Sequence, residues 1–224
     1  MCGKFEQRVV PRIFWRIGLA LTCVAFDCDG VLVDSVSSWR VLHEHFGTDN
    51  SVNLQKFLNN EIIDEDFMRS DIRLWKSVKS EIHQDEIFRL FSGISLMKGA
   101  REVINELKNR GVFVAIVSAG IDLFVGAIAA LLQVDDWIAN GFNFDADGFL
   151  MDEGNMRVSA HGKSIIIQRL LELHEFSAAD LVCIGDSEID LSMKISDSRF
   201  VGFNPSRESS LVAFEQASVP IVNS

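Results

Sequence analysis

Short, nearly uninterrupted apolar runs punctuate this chain at Leu19–Phe26, Val112–Val117, Leu181–Ile184 and Arg199–Phe203. Runs of that length, apolar at every position rather than at alternate ones, are what strands buried on both faces look like. Between them the spacing changes to that of a helix. Met97–Arg110 places Val103, Ile104 and Leu107 on one side and stops at Gly111, while Ile121–Gln133 and Gly162–His174 are helix-like in the same way. Phe142–Leu150 reads as a hairpin turning at Asp147-Gly148. Strands alternating with helices in this order predict an α/β fold with a doubly wound parallel sheet.

Residues 36–96 break the rhythm. They hold no convincing strand, and their apolar positions (Trp39, Leu42, Phe46, then Phe67, Ile72, Trp75, Val78) recur at helical intervals. The stretch is too long for a structureless loop in a compact domain. An inserted helical cap is the expectation, with 1–35 and 97–224 forming the core and 1–18 a basic N-terminal extension. That extension carries Lys4, Arg8, Arg12 and Arg16 against Glu6, and an uncharged run comes after it. It resembles a signal peptide, but lacks a small-residue cleavage site and leads directly into the first strand.

Composition narrows the function. With 224 residues the chain can bury roughly 70% of its unfolded surface, enough for a core without disulfides or structural metal. Lys and Arg number 21 against 32 Asp and Glu, a net charge of −11 that disfavours nucleic acid as a partner. Cys2, Cys23, Cys28 and Cys183 show no paired zinc spacing, which points to reduced thiols and a cytoplasmic location. No apolar stretch reaches the ~20 residues of a membrane span, so no membrane partner is expected.

The polar residues directly after the strands are the informative ones, because open α/β sheets bind ligands beyond the carboxyl ends of their strands. Those ends offer Asp27-Cys28-Asp29-Gly30, Ser118-Ala119-Gly120 and Gly185-Asp186-Ser187-Glu188-Ile189-Asp190, with Lys163 opening the helix before the third strand. Singly, each has an ordinary explanation: turn chemistry for Asp-x-Asp, helix capping for Ser118, helix N-terminal charge for Asp186 and Asp190. Lys163 fits such an explanation badly, since a cation in a first helical turn opposes the dipole. Together, carboxylates, a hydroxyl, a lysine and glycines on one sheet edge suit phosphoryl transfer with a bound cation. A carboxylate ~5 Å from a phosphate meets a repulsion of roughly 3 kcal/mol per unit-charge pair. A divalent cation between them removes it, and Mg²⁺ prefers such oxygen ligands. Backbone N–H groups near Gly30 and Ala119 are further donors to phosphate.

These residues resemble the motifs of the haloacid dehalogenase superfamily: Phe26-Asp27-Cys28-Asp29-Gly30-Val31-Leu32-Val33-Asp34-Ser35 the first, Val117-Ser118-Ala119-Gly120 the second, Lys163 the third and Gly185 to Asp190 the fourth. The resemblance covers roughly residues 20–220 and implies a core with a cap between the first two motifs. It implies Asp27 as the nucleophile that forms an aspartyl-phosphate and Asp29 as the acid/base. Ser118, Ala119, Gly120, Gly30 and Lys163 would hold phosphate, and Mg²⁺ would sit at Asp27, the Asp29 carbonyl and Asp186, supported by Asp190. Within the superfamily, Val-Ser-Ala-Gly with Gly-Asp-Ser and Asp-Leu-Ser-Met is most similar to the phosphoserine phosphatases. The glutamate that those enzymes carry nine residues after the nucleophile is Val36 here, and Arg69 and Arg73 are the counterparts of their carboxylate-binding arginine. The first motif also resembles phosphoglycolate phosphatases and sugar-phosphate mutases, leaving those substrates and a phosphotransferase or mutase reaction as alternatives. The substrate expected is a small phosphorylated metabolite.

Overall fold

The computed structural model describes residues 21–35 and 37–223, so the N-terminal extension and Val36 lie outside the described residues. A seven-stranded sheet forms the centre, in the order β4-β3-β2-β1-β5-β6-β7. Its strands are β1 (Cys23–Phe26), β2 (Phe113–Ile121), β3 (Asp136–Phe144), β4 (Leu150–Asn155), β5 (Leu181–Gly185), β6 (Arg199–Phe203) and β7 (Ile221–Val222). β1 pairs in parallel with β2 on one side and β5 on the other, and only β4 runs antiparallel.

The uninterrupted apolar runs result from this position. In β1, Val24 and Phe26 face one layer while Cys23 and Ala25 face the other. β2 and β5 alternate in the same way, with Val114, Ile116, Val182 and Ile184 on the first face and Ala115, Val117, Leu181 and Cys183 on the second. The first face is covered by α5 (Ala100–Asn109) and α6 (Asp122–Leu132), the second by α7 (Lys163–His174) and α8 (Glu208–Gln216). Cys23, Cys28 and Cys183 are buried and free. α5 ends where the sequence predicts, with Gly111 at φ +74.

Between β1 and β2 the chain forms α1 (Ser38–Phe46), α2 (Ser51–Leu58), α3 (Asp64–Val78) and α4 (Gln84–Leu90). Leu42, Met68, Ile72, Trp75 and Ile87 join the same apolar cluster as the first sheet face. α3 is moored to the β3–β4 hairpin: Lys76 bonds the Leu150 carbonyl at 3.2 Å and pairs with Asp152, and Arg69 reaches Glu153 at 3.4 Å.

Two strands and two further elements depart from the sequence expectation. β3 begins at Asp136 rather than at the predicted hairpin, because its first residues pair with β2 while keeping polar ends. β2 continues through Ser118-Ala119-Gly120 to Ile121, and its register against β3 shifts between Val117 and Ile121. α8 and β7 carry no strong periodic signal in the sequence and emerge only in the structure.

Candidate active site

The carboxyl ends of β1, β2 and β5 open onto a cleft of about 700 Å³ between the sheet edge and α1–α3. Asp27, Asp29, Ser118, Ala119, Gly120, Lys163, Asp186 and Asp190 all line it. Asp27 directly follows β1, and its N–H donates to the Ile184 carbonyl at 2.9 Å, which fixes its backbone to β5. Gly30, at φ +75, turns the chain away immediately afterwards. A Cβ there would lie 2.5 Å from Asp186 Oδ2, so glycine is needed for both the turn and the close approach.

Lys163 comes from the first turn of α7 and is only 2% exposed. Its Nζ donates to Asp27 Oδ1 at 2.7 Å and to Asp190 Oδ1 at 2.6 Å. This double ion pair is why a cation is tolerated against the helix dipole. Asp190 is held on its other oxygen by Ser187, whose N–H and Oγ donate to Oδ2 at 3.1 and 2.7 Å. The Ser187 N–H bond is one half of a capping box, completed by the Asp190 N–H donating to Ser187 Oγ, at the start of a 3₁₀ turn over Glu188–Met193.

The electrostatics are those of a crowded acidic site. Burial raises the Asp27 carboxyl to about 7; Lys163 pulls it down and the neighbouring Asp190 charge pushes it up. Burial, then Asp190 and Asp27, raise Asp186 to about 8. Asp190 stays below the usual range despite its burial, through Lys163 and the Ser187 hydrogen bonds. Loss of solvent also raises Asp29, opposed by hydrogen bonds from Ser38. One oxygen from each of Asp27, Asp186 and Asp190 lies within 4.8 Å of the others. Three carboxylates converging with a single lysine leave excess negative charge, and an oxygen-preferring divalent cation fits that donor set.

Residues without a pattern in the sequence complete the site. Ser38, at the start of α1, donates from its N–H and its Oγ to Asp29 Oδ2, both at 2.8 Å. The Ala119 carbonyl accepts from Trp39 Nε1 at 3.0 Å and from Asn140 Nδ2 at 3.2 Å, and the Gly120 N–H turns back to Ser118 Oγ at 3.1 Å. Asn140, 2% exposed, also binds the Val158 carbonyl and the N–H groups of Arg157 and Val158. Its one sequence signal is a polar residue lying between the buried positions Ala139 and Phe142.

A family model for haloacid dehalogenase-like hydrolases matches residues 24–193, a span that contains every one of these strand-end residues. The chain belongs to that family. Within the haloacid dehalogenase-like hydrolases it is 28% identical over 172 residues to a phosphoserine phosphatase of Methanocaldococcus jannaschii, covering 76% of this chain and 79% of that one. It is 26% identical to a phosphoserine phosphatase of Archaeoglobus fulgidus over 76% of its own length but 48% of that longer protein. Among solved structures, a phospho-aspartyl intermediate analogue of phosphoserine phosphatase superposes with a TM-score of 0.73 at 24% identity, covering 91% of this chain and 94% of that one. Homologues and fold together support a phosphoric monoester hydrolase.

The structure does not bring Arg69 and Arg73 to this family's cleft. Arg69 pairs with Asp66 at 2.5 Å and Glu153 at 3.4 Å, and Arg73 is exposed beside Asp152; neither lines the cavity. On α3 it is Asp64, Phe67, Met68 and Asp71 that do. No helix among the described residues is long and apolar enough to cross a membrane.

Proposed function

We propose that this chain hydrolyses a small phosphomonoester, of the phosphoserine type, through a phosphorylated Asp27. The observation that carries the reading is the Lys163 ammonium bridging Asp27 and Asp190 at the floor of the cleft, with Asp29 two residues further on. Lys163 engages Asp27 Oδ1, so Oδ2 is the oxygen that attacks phosphorus. As the Asp27–phosphorus bond forms and the ester P–O bond breaks, Asp29 gives its proton to the departing alcohol oxygen. Asp29 then takes a proton from water as that water attacks phosphorus and the Asp27–phosphorus bond breaks. Ester and water become alcohol and inorganic phosphate, and both carboxyl groups return to their starting states. Ser118 Oγ and Lys163 hold phosphate oxygens during both steps.

Mg²⁺ would be held by Asp27, Asp186 and the Asp29 carbonyl, with Asp190 bracing the set. When bound it neutralises carboxylate and phosphate charge. The helices α1 to α4 act as the lid that limits water in the cleft. The names of the relatives support phosphoserine as a substrate. Besides Lys163, the basic side chains lining the cleft among the described residues are Arg40, His43 and Arg207.

The test is phosphate release from a panel containing phosphoserine, phosphoglycolate, a sugar phosphate and an aryl phosphate, with Mg²⁺. Turnover that disappears in Asp27→Asn, while the variant keeps its fold, is the expected result. Undiminished activity in that variant, or full activity in excess chelator, overturns the reading.

A further inference from the structure

Asp29 is held in an unequal way. Its Oδ2 receives two donors from one residue, the Ser38 N–H and the Ser38 Oγ, each at 2.8 Å. Its Oδ1 is shielded from solvent and has no hydrogen-bond partner. The Ser38 hydroxyl is itself fixed, because it accepts from the Ile121 N–H at 3.2 Å. Ser38 is 0% exposed and is the first residue of α1, so its N–H is one of the donors that a helix leaves unsatisfied. No side chain caps α1 at Ser37, and the Asp29 carboxylate takes that place. One serine thus ties three segments together: the turn after β1, the end of β2 and the entry to the helical segment.

We propose that Ser38 is a positioning residue for proton transfer: by occupying Asp29 Oδ2 with two donors it leaves Oδ1, which has no partner, as the oxygen that carries the transferred proton. The proposal rests on Asp29 acting as the acid/base. A carboxyl free to rotate would present either oxygen, and a lone pair as often as a proton. With Oδ2 occupied by two donors, the proton resides on Oδ1 in the acid form. The same oxygen is bare in the base form, so Asp29 changes roles between the two steps without turning. Removing the hydroxyl leaves the backbone N–H in place but loosens the carboxyl and breaks the tie to Ile121.

The test separates this role from a structural one by leaving group. An aryl phosphate departs without a proton, so Asp29 is needed only for its second step, whereas an alkyl phosphate needs Asp29 in both. Ser38→Ala is expected to keep the pre-steady-state burst of aryl alcohol at the wild-type rate. The subsequent steady-state rate, and turnover of an alkyl phosphate, should fall about 10-fold or more, the worth of one hydrogen bond to a charged group. Phosphoenzyme trapped by acid quench should rise accordingly. Burst and steady state falling by the same factor, or neither changing, overturns the role. If Ser38→Ala does not fold, Ser38→Cys keeps the volume with only a weak donor, and the same split decides. A wild-type chain that releases no phosphate from either ester fails the phosphatase reading itself, a result distinct from any of these.

Discussion

Lys163 and Asp27 form a 2.7 Å ion pair between residues 136 positions apart in the chain, and both are nearly excluded from solvent. The pair is part of a triad with Asp190, so the lysine compensates two buried carboxylates at once. Lys163→Met keeps much of the volume and removes the charge. It is expected to destabilise the protein by about 3–5 kcal/mol, because breaking a buried pair leaves its partners uncompensated. Mg²⁺ should recover part of that loss. Urea melts with and without the ion provide the check, and a loss below ~1 kcal/mol would count against the triad as drawn.

Gly30→Ala places a methyl group where Asp186 Oδ2 now sits, on a backbone at φ +75. The carboxylate must move. Affinity for Mg²⁺, read by titration calorimetry, should drop about 10-fold or more, as for displaced groups around other metal sites. An unchanged affinity would mean that Asp186 is not needed to hold the ion.

The carboxylate cluster makes stability depend on pH. Asp27 at about 7 and Asp186 at about 8 bind protons more tightly in the folded protein than in the unfolded chain, where the value is 3.8. The folded state therefore holds more protons between pH 4 and 8, and stability falls as pH rises through that window. Asp190, which is lowered, and Lys163, which is raised, keep their charges there and add no slope. Without divalent ions the protein should therefore be less stable at pH 8 than at pH 5. Saturating Mg²⁺ replaces the protons and should flatten the profile. Thermal melts at pH 5 and pH 8 test the sign: a rise with pH in chelator contradicts it.

Arg69→Ala and Arg73→Ala should leave KM for a carboxylated phosphomonoester within about twofold. Both side chains lie toward β4, and exposed ion pairs of this kind contribute ~0–1 kcal/mol to stability. A KM that rises for the carboxylated ester but not for an aryl phosphate would restore them to the site.

The arginines show where sequence reading stops. Arg69 and Arg73 do share a face, as their spacing requires. Which way that face turns is decided by Met68, Ile72 and Trp75, whose burial orients α3 on the core. At about 100° per residue, Asp64, Phe67 and Asp71 are then carried to the cleft and Arg69 and Lys76 to the hairpin. By contrast, the core strands were legible because burial on both faces writes itself as unbroken apolar runs. Asp27, Asp29 and Asp186 were legible because each comes within a few residues of the end of such a run, and Lys163 because a cation in a first helical turn opposes the dipole. Ser38 and Asn140 had no such marker. Their roles arise from contacts to Asp29, Ala119 and Val158, which only the folded chain brings within reach.

The central place of β1 also has a consequence for how competence is gained. Asp27, Ser118 and Asp186 meet only when β1 is flanked by both β2 and β5, and neither neighbour is adjacent to it in sequence. Such pairings have high contact order and close late, after local helices have formed. On refolding, helical ellipticity should return before phosphate release does. The acidic cluster is then brought together last, when the surrounding strands already hold its charges in place.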